Sequence, residues 1–184
     1  MIANIDLLSD NYKQFLKQLQ TKNKFKGLLV KYEPVKVFVE QYRPDSILDY
    51  GCAKGHLIQQ LRKDFANIKT IDGYDPGVPE FDCISQAQYD CLISNDVIEH
   101  FEPEFLDQSL MHMNTLFTRA AWLIIACYPA KKNLPDGRNA HLIIESSDWW
   151  RQRVAQCFTN CRVVYDQVVE FAPGKPELRL ILER

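Results

Sequence analysis

The stretch ILDYGCAKGHL, residues 47–57, decides the fold class of this 184-residue chain. A short apolar run leads without a linker into a turn that contains Gly51 and Gly55. Two glycines, with the small Ala53 between them, allow a tight turn and a close approach of the backbone to a ligand. Apolar residues then recur at helical spacing over residues 56–66. The stretch therefore predicts a buried strand, a ligand-binding turn and a helix.

The rest of the chain continues this alternation of strands and helices. Short apolar runs predict strands at residues 46–50, 69–74, 89–94 and 122–128, and a closing hairpin of 161–171 and 177–184. Helical spacing predicts helices at residues 4–20, 24–42, 56–66 and 103–117, and a last one capped by Ser146 or Ser147. Pro34 is expected to kink or end the second helix. We therefore predict an α/β fold with a Rossmann-like, mainly parallel sheet and a C-terminal antiparallel hairpin.

The composition is that of an ordinary globular protein, with 46% hydrophobic and 25% charged residues. Twenty-two basic and 24 acidic residues give a formal net charge of −2, which excludes a global field that recruits nucleic acid. Residues 1–20 lack the apolar core of a signal peptide, and the longest apolar run, residues 120–128, is too short to span a bilayer. We therefore expect a cytoplasmic protein with reduced cysteines and no membrane contact.

A carboxylate marks the end of the second predicted strand. Asp75 lies about 20 residues beyond Gly55, where an acidic side chain can accept hydrogen bonds from ribose hydroxyls. In open α/β sheets, ligands bind outside the carboxyl ends of the strands. A dinucleotide-binding turn would need a further glycine near position 56, so His56 argues against that class.

Three motifs in order carry a family resemblance. D-x-G-x-A-x-G at Asp49 to Gly55, the acidic strand end at Asp75, and YDCLISNDVIEH at residues 89–100 resemble class I S-adenosylmethionine-dependent methyltransferases. The resemblance implies that the glycine loop lies beside the methionine moiety of the cofactor, with Asp49 near its amino group and Asp75 on its ribose. The residues that it implies for cofactor binding are Asp49, Gly51, Cys52, Ala53, Gly55, Asp75 and Asp96.

The resemblance covers residues 40–128 and extends to the C-terminal hairpin, with two departures. Ala53 replaces the usual middle glycine of the loop. Between Asp75 and Asp96 the usual helix and third strand are reduced, which leaves only weak candidates for the adenine pocket, namely Phe81, Asp82 and Cys83. We expect one methyltransferase domain over residues 1–184, with a helical segment (1–42), a cofactor-binding core (43–128) and an acceptor-side part (129–184).

The segment SNDVIEHF, residues 94–101, predicts either a metal site or the start of a helix. Asp96, Glu99 and His100 at i, i+3 and i+4 would share a helical face, and His141 follows a later strand at the same sheet edge. These donors suit Mg²⁺ or Mn²⁺. The set resembles the E-x-x-E-H metal site of plant small-RNA 2′-O-methyltransferases and the similar cluster of ubiquinone-pathway O-methyltransferases. If the segment instead starts a helix, Asp96 caps that helix and the Glu99 carboxylate interacts favourably with the positive end of the helix dipole. In that case His100 or His141 is the general base.

The segment after the predicted strand at residues 122–128 is our candidate for the acceptor side. Arg138 offers a planar fork for phosphate or carboxylate, Lys131 adds charge, and Trp149 offers an apolar wall. Taken one at a time, these residues also fit a solvated turn, a solvated lysine and a core tryptophan.

The acceptor chemistry is narrowed by two absent motifs. Asn95-Asp96 is not followed by the Pro-Pro-aromatic motif of amino-group DNA methyltransferases, and no Pro-Cys pair supplies a nucleophile for cytosine. We therefore expect O-methylation of a small polar acceptor, sugar-like or phosphorylated, with a divalent metal as an optional aid. The alternatives are an RNA 2′-O-methyltransferase, which the net charge opposes, and a non-catalytic partner protein that binds S-adenosylmethionine. The sequence does not define the oligomeric state.

Overall fold

A computed structural model describes residues 7–21 and 31–184, which form a six-stranded sheet flanked by helices. The strands are β1 (Ser46–Tyr50), β2 (Thr70–Tyr74), β3 (Tyr89–Asn95), β4 (Phe117–Ala126), β5 (Arg162–Glu170) and β6 (Pro176–Glu183). The helices are α1 (Asp10–Thr21), α2 (Tyr32–Tyr42), α3 (His56–Asp64), α4 (Leu106–Thr115) and α5 (Ser147–Cys157). In the described part of the chain, none of the helices is long and apolar enough to cross a membrane.

The strand order is β2-β1-β3-β4-β6-β5. Strands β1 to β4 pair in parallel, whereas β6 pairs antiparallel with both β4 and β5. The predicted fold class, a Rossmann-like sheet with a C-terminal hairpin, is therefore confirmed. Because parallel strands end at the same edge, the polar residues after β1, β2, β3 and β4 are brought together there.

The core lies on both faces of the sheet, because successive strand residues point to opposite sides. Leu48 belongs to the cluster that packs under α4 and α5, where Trp150 is fully buried. Ile47 belongs to the cluster on the other face, with Phe38 of α2 and Leu61 of α3. The sheet is thus covered on both faces, and its carboxyl edge is left to bind ligands.

Several predicted boundaries need correction. Pro34 neither kinks nor ends a helix, since it lies in the first turn of α2, where a missing N–H has no intrahelical partner to lose. Residues 98–100 form a single 3₁₀ turn rather than the start of an α-helix. Strand β4 begins at Phe117, five residues before the predicted start at residue 122. Parts of the two N-terminal predicted helices, residues 4–6 and 24–30, lie outside the described residues.

The connection between β2 and β3 is short, as the sequence indicates. A 3₁₀ turn, Pro79–Phe81, is the regular element of this connection in the described chain. Strand β2 is consequently an edge strand of the sheet. Little chain therefore surrounds the carboxyl end of β2, and a ligand bound there has to be lined by other parts of the chain.

Candidate functional site

A cavity of about 390 Å³ opens at the carboxyl edge of the sheet. Its floor comes from the ends of β1, β2 and β3 with their turns, and includes Asp49, Gly51, Asp75 and Asp96. Its roof comes from the N-terminal segment that ends in α1. The roof residues are Leu7, Leu8, Tyr12 and Leu16. A cavity of this size, mostly apolar and with a few polar groups, is typical of a small-molecule site.

The loop between β1 and α3 has a backbone that few residues tolerate. Gly51, Ala53 and Gly55 have φ angles of 86°, 47° and 70°, all in the left-handed region. The amides of Gly51 and Cys52 donate to the carbonyl of Tyr74, at 2.7 and 3.2 Å, which ties the loop to the end of β2. Ala53 thus adopts the conformation that a glycine usually takes here, and the loop keeps its shape despite the substitution.

Two carboxylates lie beside this loop. Asp75 accepts hydrogen bonds from the amides of Ala53, at 2.9 Å, and Gly77, at 2.8 Å, which fixes its position at the cavity floor. Asp49 is 4% exposed. Burial, reinforced by the neighbouring Asp75 carboxylate, raises the pKa of Asp49 to about 7. A cationic group bound next to Asp49 would therefore favour its ionised form.

A second cluster of polar side chains joins Glu99, His100 and His141. One ligand atom from each of these residues lies within 4.8 Å of the others. The Nδ1–H of His100 donates to the carbonyl of Ala140 at 2.6 Å, and the Nδ1–H of His141 donates to the carbonyl of Tyr128 at 2.5 Å. In the neutral rings Nε2 is then the unprotonated nitrogen, which is the arrangement that metal-bound histidines usually have.

The electrostatics of this cluster fit a bound cation. Glu99 is fully buried, and its Oε1 is 3.3 Å from the amide of Ala126 while its Oε2 has no hydrogen-bond partner among the described residues. Burial, reinforced by the negative charge of Asp96, raises the pKa of Glu99 well above its usual range. Burial and the nearby His141 lower the pKa of His100 to about 4, and burial also lowers the pKa of His141. Two neutral imidazoles and such a buried carboxyl oxygen suit a divalent cation, whose charge would favour ionised Glu99.

Comparison with protein-family models identifies the chain. A model described as a methyltransferase domain matches residues 6–161. The chain belongs to this methyltransferase family. The resemblance inferred from the sequence is thus confirmed, and the protein is an S-adenosylmethionine-dependent methyltransferase of class I. A search of curated protein sequences finds no match.

Several solved structures share the fold of this methyltransferase. 1,6-Didemethyltoxoflavin-N1-methyltransferase of Burkholderia thailandensis, bound to 1,6-didemethyltoxoflavin and S-adenosylhomocysteine, has a TM-score of 0.65 at 11% identity over 95% of this chain and 89% of that one. The plantazolicin methyltransferase BpumL has a TM-score of 0.62 at 12% identity, over 94% of this chain and 96% of that one. The methyltransferase domain of bacterial CtHen1-CN has a TM-score of 0.57 at 18% identity, over 85% of this chain and 98% of that one. At such identities the likeness shows the fold, and the acceptor has to be argued from this methyltransferase's own residues.

The fourth predicted metal ligand of the methyltransferase lies apart from the other three. Both carboxylate oxygens of Asp96 accept from Nζ of Lys31, each at 2.6 Å. Asp96 has a left-handed φ of 54° and does not cap a helix, because Val97 precedes the 3₁₀ turn and no side chain caps that turn. The prediction of one helical face for Asp96, Glu99 and His100 is therefore wrong in its geometry.

The candidate acceptor residues lie away from the cavity wall. Arg138 is exposed and pairs with Asp136 at 2.7 Å, and Lys131 is exposed on the same loop. Trp149 packs at right angles against the buried Trp150 and lines a separate shallow surface pocket with Leu106 and Arg153. None of the three predicted residues is among the cavity-lining residues of the described chain. The adenine candidates Phe81, Asp82 and Cys83 are also outside that lining.

The sequence-based prediction missed the residues that close the methyltransferase's cavity. Tyr12 is 2% exposed and donates its hydroxyl to the carbonyl of His100 at 2.6 Å. The amide and hydroxyl of Ser9 donate to the Glu102 carboxylate at 2.8 and 2.7 Å. The N-terminal segment is thereby tied to the turn that carries His100. The missed signal is weak, because a serine before an amphipathic helix normally indicates only a cap.

Proposed function

We propose that this methyltransferase transfers a methyl group to a hydroxyl of a small polar acceptor, with a divalent cation held by Glu99, His100 and His141. The observation that carries the proposal is the three-residue cluster, in which two imidazoles are oriented by backbone carbonyls and one carboxyl oxygen of the buried Glu99 has no hydrogen-bond partner in the described chain. S-adenosylmethionine supplies an electrophilic methyl group when bound. A cation at the cluster would lower the pKa of a hydroxyl that binds to it.

The chain's own residues support the positioning of a donor and an acceptor in one cavity. Asp49 and Asp75 supply carboxylates at the floor, and the backbone of the Gly51–Gly55 loop leaves room for a ligand beside it. The roof residues of the N-terminal segment cover part of that space with apolar side chains. At the other end, the cluster residue His100 is part of the cavity lining. The proposed donor and cation sites are therefore adjacent.

The cavity volume supports a small acceptor. About 390 Å³ lies at the low end of the range for small-molecule sites, which is about 300–1,000 Å³. The cofactor has to share this space, so little is left for the acceptor. A vicinal diol fits the proposal best, because two neighbouring oxygens can chelate one cation.

A second candidate function is 2′-O-methylation of RNA, which the resemblance of the E-H cluster favours. The net charge of −2 opposes it. Binding of a short RNA that weakens steeply with salt would support this alternative, whereas absence of binding at low salt would remove it.

The proposal is tested by calorimetric titration of S-adenosylhomocysteine and then of Mn²⁺ into chelator-stripped protein. We expect S-adenosylhomocysteine to bind without metal, and Mn²⁺ to give a separate heat that is lost in Glu99→Gln and in His141→Ala. The matched control is Glu145→Gln, which alters an exposed carboxylate four residues after His141 and should leave both titrations unchanged. Absence of a Mn²⁺ heat in the wild-type protein would overturn the metal site while leaving the cofactor site intact.

A further inference from the structure

Lys31 is buried at the acceptor end of the cavity and contacts two carboxylates. Its side chain is 10% exposed, and its Nζ lies 2.6 Å from both oxygens of Asp96. The same Nζ forms an ion pair with Glu177, whose side chain is fully buried at the start of β6. The ring of Phe171 covers the ammonium, with its centroid 5.1 Å from Nζ. Each of these contacts fixes the ammonium in one place.

Glu177 is the second carboxylate that pairs with the ammonium. The carboxylate of Glu177 is also paired with Arg179 at 3.2 Å, so it is held in position within β6. The ammonium donates hydrogen bonds to both oxygens of Asp96, and its charge is also paired with the Glu177 carboxylate. Buried charges without partners would be strongly unfavourable, so this chain of ion pairs is an arrangement in which each charge stabilises its neighbour.

Asp96 is thereby directed away from the neighbouring metal-ligand candidates. Its spacing from Glu99 and His100 predicts a fourth ligand, yet its carboxylate is not among the atoms that converge at the cluster in the described chain. The side chain of Asp96 instead keeps 36% exposure and lines the cavity together with Lys31 and Tyr128.

We propose that Lys31 is a positioning residue that holds the Asp96 carboxylate out of the Glu99–His100–His141 cluster and in the wall of the cavity. There Asp96 can accept a hydrogen bond from the acceptor, so Lys31 determines that the acceptor end prefers hydrogen-bond donors such as hydroxyls. The inference deepens the proposed function and rests on it for the role of the cluster. Its experiment separates the two.

The experiment measures the Mn²⁺ affinity of chelator-stripped full-length protein by calorimetry and by the electron paramagnetic resonance signal of free Mn²⁺. The variants are Lys31→Met, Asp96→Asn and the double variant, and the matched control is Lys36→Met on α2, the helix that Lys31 directly precedes. Removing the ammonium should free Asp96 to reach the cluster, so Lys31→Met should bind Mn²⁺ about tenfold or more tightly. The double variant should lose most of this gain. Asp96→Asn alone should weaken Mn²⁺ binding by no more than a few fold, because it removes a nearby negative charge and not a ligand.

Each outcome decides between the explanations. If Lys31→Met leaves the Mn²⁺ affinity unchanged, or the double variant keeps the whole gain, Lys31 does not act through Asp96 and the inference is overturned. If Lys31→Met fails to fold, Asp96→Asn still decides, because a tenfold weakening would show that Asp96 is already a ligand. If only Lys31→Met binds Mn²⁺, the proposed metal site is wrong while the positioning role stands. No Mn²⁺ binding by any of the variants or the wild type overturns both.

Discussion

The two ends of the cavity, one proposed for the cofactor and the other for the acceptor, are built in different ways. At the cofactor end, Asp49, Gly51, Gly55 and Asp75 come from neighbouring stretches of chain and are fixed by backbone turns and amide hydrogen bonds. At the acceptor end, side chains from the residue before α2, the turn after β3, the loop after β4 and the start of β6 meet through ion pairs and buried imidazoles. The cofactor end therefore depends on local conformation, whereas the acceptor end depends on long-range contacts among buried charged groups.

The largest effect is expected from Gly51→Ala, which attacks the backbone of the cofactor end. An added Cβ would lie 2.3 to 2.9 Å from three atoms of Val97, and the φ of 86° disfavours any side chain. We expect a loss of about 2–5 kcal/mol in the free energy of unfolding from strain and overpacking. The affinity for S-adenosylhomocysteine should fall by about a hundredfold or more. Chemical denaturation and calorimetry measure the two quantities.

Gly137→Ala provides the control, because Gly137 also has a positive φ, of 90°, but no described atom lies within 4 Å of the position that an added Cβ would take. It should cost only the backbone strain, about 1 kcal/mol, and leave cofactor binding unchanged. Val97→Ala should restore part of the affinity lost in Gly51→Ala. Equal losses in the Gly51 and Gly137 variants would show that the close contact with Val97 does not matter.

A second effect, on pH dependence, should follow from Asp49→Asn. The pKa of Asp49 is about 7 in the folded protein against 3.8 when exposed, so the folded state binds the proton more tightly. Stability therefore falls as the pH rises from about 4 to 7, by up to about 4 kcal/mol. Asparagine removes this fall, so the variant should be more stable than the wild type at pH 8 and similar to it at pH 4. Urea denaturation across this range, without cofactor, measures the difference.

The same variant should bind S-adenosylhomocysteine at least about tenfold more weakly, because it lacks the charge that the resemblance places near the amino group of the cofactor. Glu40→Gln, which alters an exposed carboxylate on α2, should change neither quantity. A stability gain for Asp49→Asn that does not vary with pH would contradict the titration of Asp49.

The difference between the two ends also explains how much the sequence can predict. The glycine loop and Asp75 are visible in the sequence because a turn and a strand end fix their positions locally. The cluster of Glu99, His100 and His141 is predicted from spacing, donor chemistry and a resemblance, and its three members do converge. Helical spacing also predicts Asp96 as a member of this cluster. This prediction fails because Asp96 has a left-handed φ and lies before a 3₁₀ turn, so it is not on a helix with Glu99 and His100.

Lys31 and Glu177 cannot be placed from sequence. Lys31 follows the apolar residues 28–30, and Glu177 precedes the mostly apolar stretch 178–182, which is a weak sign of a buried ion pair. Their pairing joins positions far apart in the chain, and nothing in the local pattern specifies it. Trp149 and Arg138 show the opposite error, since both have side chains suited to an acceptor and neither lines the cavity. Residue type alone therefore predicts a site poorly where tertiary contacts decide.

The smallest effect is expected from Tyr12→Phe, which tests whether the two ends are independent. Tyr12 lines the roof of the cavity and donates to the carbonyl of His100, so it touches both ends. Loss of this hydrogen bond should cost about 1 kcal/mol of stability. If the ends are independent, the affinity for S-adenosylhomocysteine should stay within about twofold and only the Mn²⁺ affinity should fall slightly, because His100 is less firmly held.

Tyr165→Phe, on the half-exposed edge strand β5, is the control. A joint loss of more than about tenfold in both affinities would instead mean that the roof couples the ends, and that cofactor binding helps to assemble the acceptor end.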